Sequence, residues 1–275
     1  MTDNIHEKIL FNKYKSTKDS KLKKCLNELN KLKDKISKLN IVDKNGVTSF
    51  VKSFNDYRSK TAYIYERRKN SGQELIRSSM LEGFFQYLFK DIINNYTINN
   101  KLICGRAKTL VGFNFSPFSF ENSFKNINLN LLEKDQDFVI GTMIDLKIGD
   151  ERKETIKITI PFIVIECKVY IEKNMLETHM NSSSNIKKIV PDCLYFVASE
   201  YMKMKTAEPH LSKLNNVYIL CQEVNSIREK KVKTDTPIKN LNPDLVYDIF
   251  TRVKQHLTVK WWDKEAVSKY GRLID

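Results

Sequence analysis

Residues 158–168 read ITIPFIVIECK. This apolar, largely branched run must be a strand with both faces covered. It ends in Glu166 and Lys168, two opposite charges on one face, because residues two apart in a strand share a side. Ile163, Ile165 and Cys167 point the other way. Buried charge is costly unless it is paired or bound to a metal. Upstream, KDQDFVIGTMIDLK (134–147) reads as a partner strand near 137–148, and GDERKE (149–154) as the turn between them. A turn centred between Glu151 and Arg152 sets Asp137 across from Glu166. Cross-strand neighbours lie about 5 Å apart. Two carboxylates that close call for a cation, and an all-oxygen site suits a hard divalent ion such as Mg²⁺.

The rest of the chain supplies the elements around this hairpin. Leu22, Cys25, Leu29, Leu32, Ile36 and Leu39 recur at 3-4-3-4-3 spacing, which predicts a helix over 19–40. An amphipathic helix packed on its own domain explains that seam better than a dimeric coiled coil. DKNG at 43–46 reads as a turn, 47–69 as a helix ending in Glu66-Arg67-Arg68-Lys69, and NSG at 70–72 as a break. Residues 73–95 form an amphipathic helix whose apolar face carries Leu81, Phe84, Phe85, Leu88, Phe89 and Ile92. Glu82 falls at the edge of that face, pointing to water or into a site. A strand is expected over 101–113, loop over 114–134, a helix over 172–189, short buried strands at 193–199 and 216–221 with a linker through YMKMK, and a helix over 242–257. This order gives an α/β fold: a mixed central β-sheet flanked by helices, with an N-terminal helical region. The expected division is a basic helical region over 1–72, for DNA contact or dimer packing, and a main domain over 73–275.

Net charge is +14, from 47 basic and 33 acidic residues. Most of the excess lies in the first 72 residues, which favours a polyanionic partner. The five cysteines and four histidines are scattered without CxxC spacing, against a zinc site and for reduced thiols in a cytoplasmic protein. No apolar run approaches membrane-spanning length, so no membrane association is expected. MTDNIHEK lacks an apolar signal core.

An ExK triplet occurs three times: 151–153, 166–168 and 229–231. Only Glu166-Cys167-Lys168 ends a buried strand. The literal Pro-Asp pairs, at Asp192 and Asp244, have no strand-borne ExK after them. An acidic residue at the start of one strand, ExK at the tip of the next, then a helix resembles the PD-(D/E)xK nuclease superfamily, with its αβββαβ core. KDQDFVIG and ECKVYIEKNMLE look most similar to type II restriction endonucleases of the group containing BbvCI, which cut short, nearly palindromic sites. The resemblance covers about residues 75–205. Gln136 stands where the motif name has proline.

The resemblance implies a Mg²⁺-dependent nuclease in a restriction-modification system. Asp137, Glu166 and the Cys167 backbone carbonyl hold the ion, Lys168 orients the attacking water, and Glu82 binds a second ion or its water. Asp135 is a possible auxiliary ligand. Lys173 is a phosphate-contact candidate that also suits an i,i+4 pair with Glu177. Candidates for base contact are Arg106, Lys108, Lys203, Lys205 and Arg228. The expected partners are double-stranded DNA and a second subunit, in a homodimer or a heterodimer with a related chain. The rival readings are a repair nuclease or junction resolvase of the same fold, a non-catalytic DNA-binding protein, and a coiled-coil scaffold.

Overall fold

The computed structural model describes residues 4–65, 71–94, 101–116, 119–121, 128–147 and 155–258. Five helices come first: α1 (Ile5–Thr17), α2 (Ser20–Ser37), α3 (Lys44–Tyr65), α4 (Ser71–Leu88) and α5 (Lys90–Asn94). Then follow β1 (Leu102–Ser116), β2 (Asn128–Lys147), β3 (Thr155–Ile171), α6 (Lys173–Ile189), β4 (Leu194–Met202), β5 (Asn216–Ile219), α7 (Asn225–Lys233) and α8 (Pro243–Thr258). The sheet order is β1-β2-β3-β4-β5. β1, β2 and β3 are antiparallel neighbours, whereas β4 and β5 run parallel to β3. This is the mixed α/β sheet expected from the element order.

The strand alternation decides what covers each face. Phe138, Ile140, Ile163, Ile165 and Cys167 face a helical layer that includes Leu29, Phe50, Phe84, Phe85 and Phe250. Val139, Val164 and Tyr195 face the other way, against Ile186 of α6, and Val197 and Ile171 meet Leu176 of the same helix. Each fully buried phenylalanine contributes roughly 1.5–3 kcal/mol. The main core is continuous from Leu10 to Val253, so α1–α3 pack into the same core as α4 and the sheet. The heptad seam of α2 is buried at Leu22, Cys25, Leu29, Leu32 and Ile36, and α2 packs on α3 of its own chain.

Several local expectations are corrected. DKNG is not a free turn: Asp43 accepts from the Gly46 amide (2.8 Å), and α3 starts at Lys44. Ser71 and Gly72 open α4 instead of breaking the chain, and the basic cluster 66–69 lies outside the described residues. The helix expected over 73–95 is two, α4 and α5. Phe89 donates to Phe85 O (3.1 Å) and Ile93 to Phe89 O (3.0 Å), so the apolar face runs on through the junction. Much of the presumed loop 114–134 is strand, because Phe113, Asn114, Phe115 and Ser116 pair with Leu131, Asn130, Leu129 and Asn128. Tyr201 and Met202 of YMKMK belong to β4. The expected turn 149–154 lies outside the described residues. Helices α1 and α7 had no expectation.

The β2–β3 pairing carries the site. Phe138 pairs with Ile165, Val139 with Val164 and Ile140 with Ile163, so the next step sets Asp137 opposite Glu166. Toward the turn the register shifts by one between Ile140 and Gly141, leaving Phe162 as the extra residue. At Gly141 a Cβ would lie 2.4 Å from the Ile160 carbonyl oxygen, so this irregularity requires glycine. Beyond Ile165 the strands part. β2 continues against β1, and β3 continues against β4 through Lys168↔Ser199 to Ile171↔Met202.

Candidate active site

The charges meet where the sheet divides. On the β1 side, Gly105 pairs with Val139 and Ala107 with Gln136. Arg106 therefore faces two residues, Asp137 and Phe138, across a bulge. Bulges re-aim side chains and are common beside active sites. Gly105 has φ 139°, a backbone conformation open to glycine and costly for other residues. The irregularity turns the Asp137 carboxylate toward β3. Its Oδ2 accepts the Cys167 amide (2.9 Å), so a side chain stands where a ladder carbonyl would otherwise be.

The Lys168 ammonium donates to Asp137 Oδ2 and to Glu166 Oε2, the latter at 3.2 Å. Asp137 of β2 is thus brought into one cluster with Glu166 and Lys168 of β3. Burial acts against the charge on both acids. At Asp137 the adjacent Lys168 and the Cys167 amide overcome it and hold the carboxyl below its usual value. At Glu166 burial and the Asp137 charge win, and the pKa rises to about 7. Burial works against the charge on Lys168 too, but the two carboxylates raise its pKa. One ammonium thus serves two carboxyl groups, and the charge on the second is disfavoured for want of a further cation.

That shortfall fits a hard divalent ion. Asp137 and Glu166 offer oxygen donors at adjacent positions. The N–H and C=O of one strand residue face the same edge, so the Cys167 carbonyl shares the edge at which Asp137 takes the Cys167 amide. Among the described residues no group of three or more His, Cys, Asp and Glu side chains is arranged to hold a metal, so further donors must be backbone, water or substrate oxygens. The Cys167 thiol is buried in the main core, which raises its pKa well above the usual value.

Two neighbours of Glu166 are not among the residues that the sequence singles out. The Tyr195 hydroxyl donates to Glu166 Oε1 (3.2 Å) and lies 3.5 Å from Gln136 Oε1. His179 Nδ1 is 3.5 Å from Glu166 Oε2 without hydrogen-bond geometry. Burial and the nearby Lys168 and Lys134 charges push the His179 pKa down to about 3, so the ring is neutral. A usable signal existed: Leu176, His179, Ser182, Ser183 and Ile186 form the buried stripe of α6, and a histidine with two serines there asks for polar neighbours.

Glu82 is buried on α4, and its electrostatic neighbours include Asp137 and Lys168. Its oxygens are taken by Arg106, with Nε to Oε2 at 3.0 Å and Nη2 to Oε1 at 2.7 Å. Burial still lifts its pKa to about 6. The carboxylate expected to take a second ion is therefore engaged by an arginine expected to read bases. Arg228 is corrected as a base-reading candidate. It is buried, donates to Asn225 (2.5 Å) and lies over the Tyr201 ring. Lys203 is exposed but pairs with Glu172 (3.1 Å) and covers Tyr170. Lys173 is exposed and 3.9 Å from Glu177. Lys108, exposed on β1, is opposite the exposed Asp135, and Lys205 is exposed after β4. Asp192 is exposed, and Asp244 opens α8 and pairs with Lys44 (3.0 Å).

Comparison with known proteins decides the class. Residues 73–272 match the family described as Bpu10I restriction endonuclease. The chain belongs to the Bpu10I restriction endonuclease family. Every site residue discussed above lies inside the matched span. Membership makes the chain a restriction endonuclease, a nuclease that binds and hydrolyses DNA. Its fold is similar to that of a solved structure described as the native BbvCI A2B2 tetramer at low resolution, with a TM-score of 0.73 and 19% identity over 95% of this chain and 99% of that one. That likeness extends the shared fold beyond the matched span to the N-terminal helices. No curated protein matches. Among the described residues no helix is long and apolar enough to cross a membrane.

Proposed function

We propose that the chain is a type II restriction endonuclease. It cuts double-stranded DNA at a short specific sequence by Mg²⁺-dependent phosphodiester hydrolysis, in a restriction-modification system in the cytoplasm. The observation that carries this reading is the pair of carboxylates, Asp137 and Glu166, sharing one ammonium at the division of the sheet. Asp137, Glu166 and the Cys167 carbonyl would hold the ion, which would supply Lewis-acid chemistry at the scissile phosphate. Lys168, beside both carboxylates, would orient the attacking water and offset the developing negative charge. Tyr195 fixes the Glu166 carboxyl from behind. Exposed lysines of the N-terminal helices add salt-dependent contacts to the DNA backbone. Lys108 and Lys205 remain candidates for DNA contact. The assembly is a homodimer or a heterodimer with a related subunit; the similar BbvCI structure, described as an A2B2 tetramer, supports an oligomer.

Incubation of the full chain with plasmid and Mg²⁺, followed by sequencing of the ends, tests the reading. Discrete fragments with one repeated end sequence are expected. Unspecific degradation, or cleavage that ignores chelation of the metal, would overturn it.

A further inference from the structure

Arg106 is placed by two independent features. The bulge opposite Asp137 and Phe138, with the positive φ of Gly105, fixes its backbone. Glu82 fixes its side chain by two parallel hydrogen bonds. Glu82 is only 2% exposed, whereas the Arg106 side chain is 38% exposed, so the guanidinium lies between the buried acid and solvent. An arginine has five N–H donors in a rigid fork. Glu82 takes one from Nε and one from Nη2, and Nη1 bonds to none of the described residues. Asp137 is among the electrostatic neighbours of Arg106, so these remaining donors belong to the same charge cluster.

We propose that Arg106 is a phosphate clamp of the cleavage site and that Glu82 acts through it. Glu82 is then a positioning residue rather than a metal ligand: it holds the guanidinium so that Nη1 meets a non-bridging oxygen of a DNA phosphate beside Lys168. Guanidinium groups suit this task because the fork serves a carboxylate on one edge and a phosphate on another. The ligand is the phosphodiester backbone, so the contact carries no base information. The proposal rests on the reading of Asp137, Glu166 and Lys168 as the cleavage centre.

The test uses the full chain and a plasmid fragment that the wild type cuts. Binding is measured with Ca²⁺ in place of Mg²⁺ over a salt series, and cleavage with Mg²⁺ at saturating protein. Arg106→Ala is expected to reduce the salt slope of binding by about 1. It is expected to slow cleavage by about a hundredfold and to leave the half-saturating Mg²⁺ concentration unchanged. Glu82→Gln keeps one acceptor for Arg106, so it slows cleavage less and also leaves the Mg²⁺ requirement unchanged. The double variant cleaves no more slowly than Arg106→Ala alone, because both changes remove one contact. If Arg106→Ala fails to fold, Arg106→Lys replaces it: the salt slope stays and cleavage falls, since an ammonium cannot serve both edges. A wild-type salt slope in Arg106→Ala, or wild-type cleavage in Arg106→Lys, overturns the proposal. A several-fold rise in half-saturating Mg²⁺ for Glu82→Gln also overturns it, by making Glu82 a ligand. Failure of the underlying reading looks different: Asp137→Ala would still cleave, while the salt slope of Arg106→Ala would still report the phosphate contact.

Discussion

Glu166 and Glu200 are buried carboxylates on neighbouring parallel strands, β3 and β4, and the fold treats them in opposite ways. Glu200 has a cation of its own. Arg58 of α3 donates to it through Nη2, while Arg58 Nη1 bonds to Lys239 O (3.3 Å) and lies 3.5 Å from Asn55 Oδ1. Asn55 completes the arrangement by bonding to the backbone of Leu241 on both sides, at 2.9 and 3.0 Å. One charge meets one charge, and α3, β4 and the 239–241 segment are tied together. Glu166 shares its cation with Asp137 and keeps a raised pKa. A balanced cluster serves the fold. An unbalanced one retains capacity for a ligand, and it is the unbalanced one that lies where the strands part.

The comparison breaks first at the unbalanced cluster. Lys168→Ala or Asp137→Ala is expected to cut DNA cleavage by about a thousandfold or more while circular dichroism stays native. Full cleavage by either purified variant would remove the cluster from catalysis. The balanced cluster should respond in stability. Glu200→Ala strands the Arg58 charge and is expected to cost about 3–5 kcal/mol in urea unfolding. The double change Arg58→Met with Glu200→Leu should recover most of that loss.

A pH series separates the two clusters further. The Glu166 pKa is raised from 4.5 to about 7 in the folded chain, so the folded state binds more protons than the unfolded state between those values. Stability therefore declines as pH rises from about 4.5 to about 7. Glu166→Gln should make that decline shallower in melting experiments without metal, leaving below about pH 6 the part owed to Glu82, whose pKa is also raised, and added Mg²⁺ should stabilise the wild type more at pH 8 than at pH 5. An unchanged slope in the variant would disprove the assignment. The smallest effect belongs to the exposed Lys173–Glu177 pair. Lys173→Ala should change stability by no more than about 0.5 kcal/mol.

Much of the site was legible because one β-hairpin has few ways to pair. The apolar run into Glu166, with a polar turn before it, points to Asp137 as the facing residue; near the turn the strands pair one residue away from that register, and the shift at Gly141 restores it before the Phe138–Ile165 pair. The rest depended on contacts distant in sequence. Tyr195 and His179 reach Glu166 from β4 and α6, and strand or helix periodicity reports burial without naming a partner. Glu82 was picked out as an inward acid, but its bond to Arg106 requires knowing how β1 crosses α4. The asparagine-rich ends of β1 and β2 resembled loop because their pairing leaves Phe113 and Phe115 exposed. Helix α1 escaped notice because only His6 and Leu10 are buried on it, too few to set a period.

The bond from the Cys167 amide to the Asp137 side chain turns a backbone proton into a reporter. That amide is held by the same oxygen that Lys168 contacts. Its resonance and its rate of exchange with deuterium therefore follow the state of Asp137, and a nuclear magnetic resonance probe of the proposed cleavage centre is available without cutting any DNA.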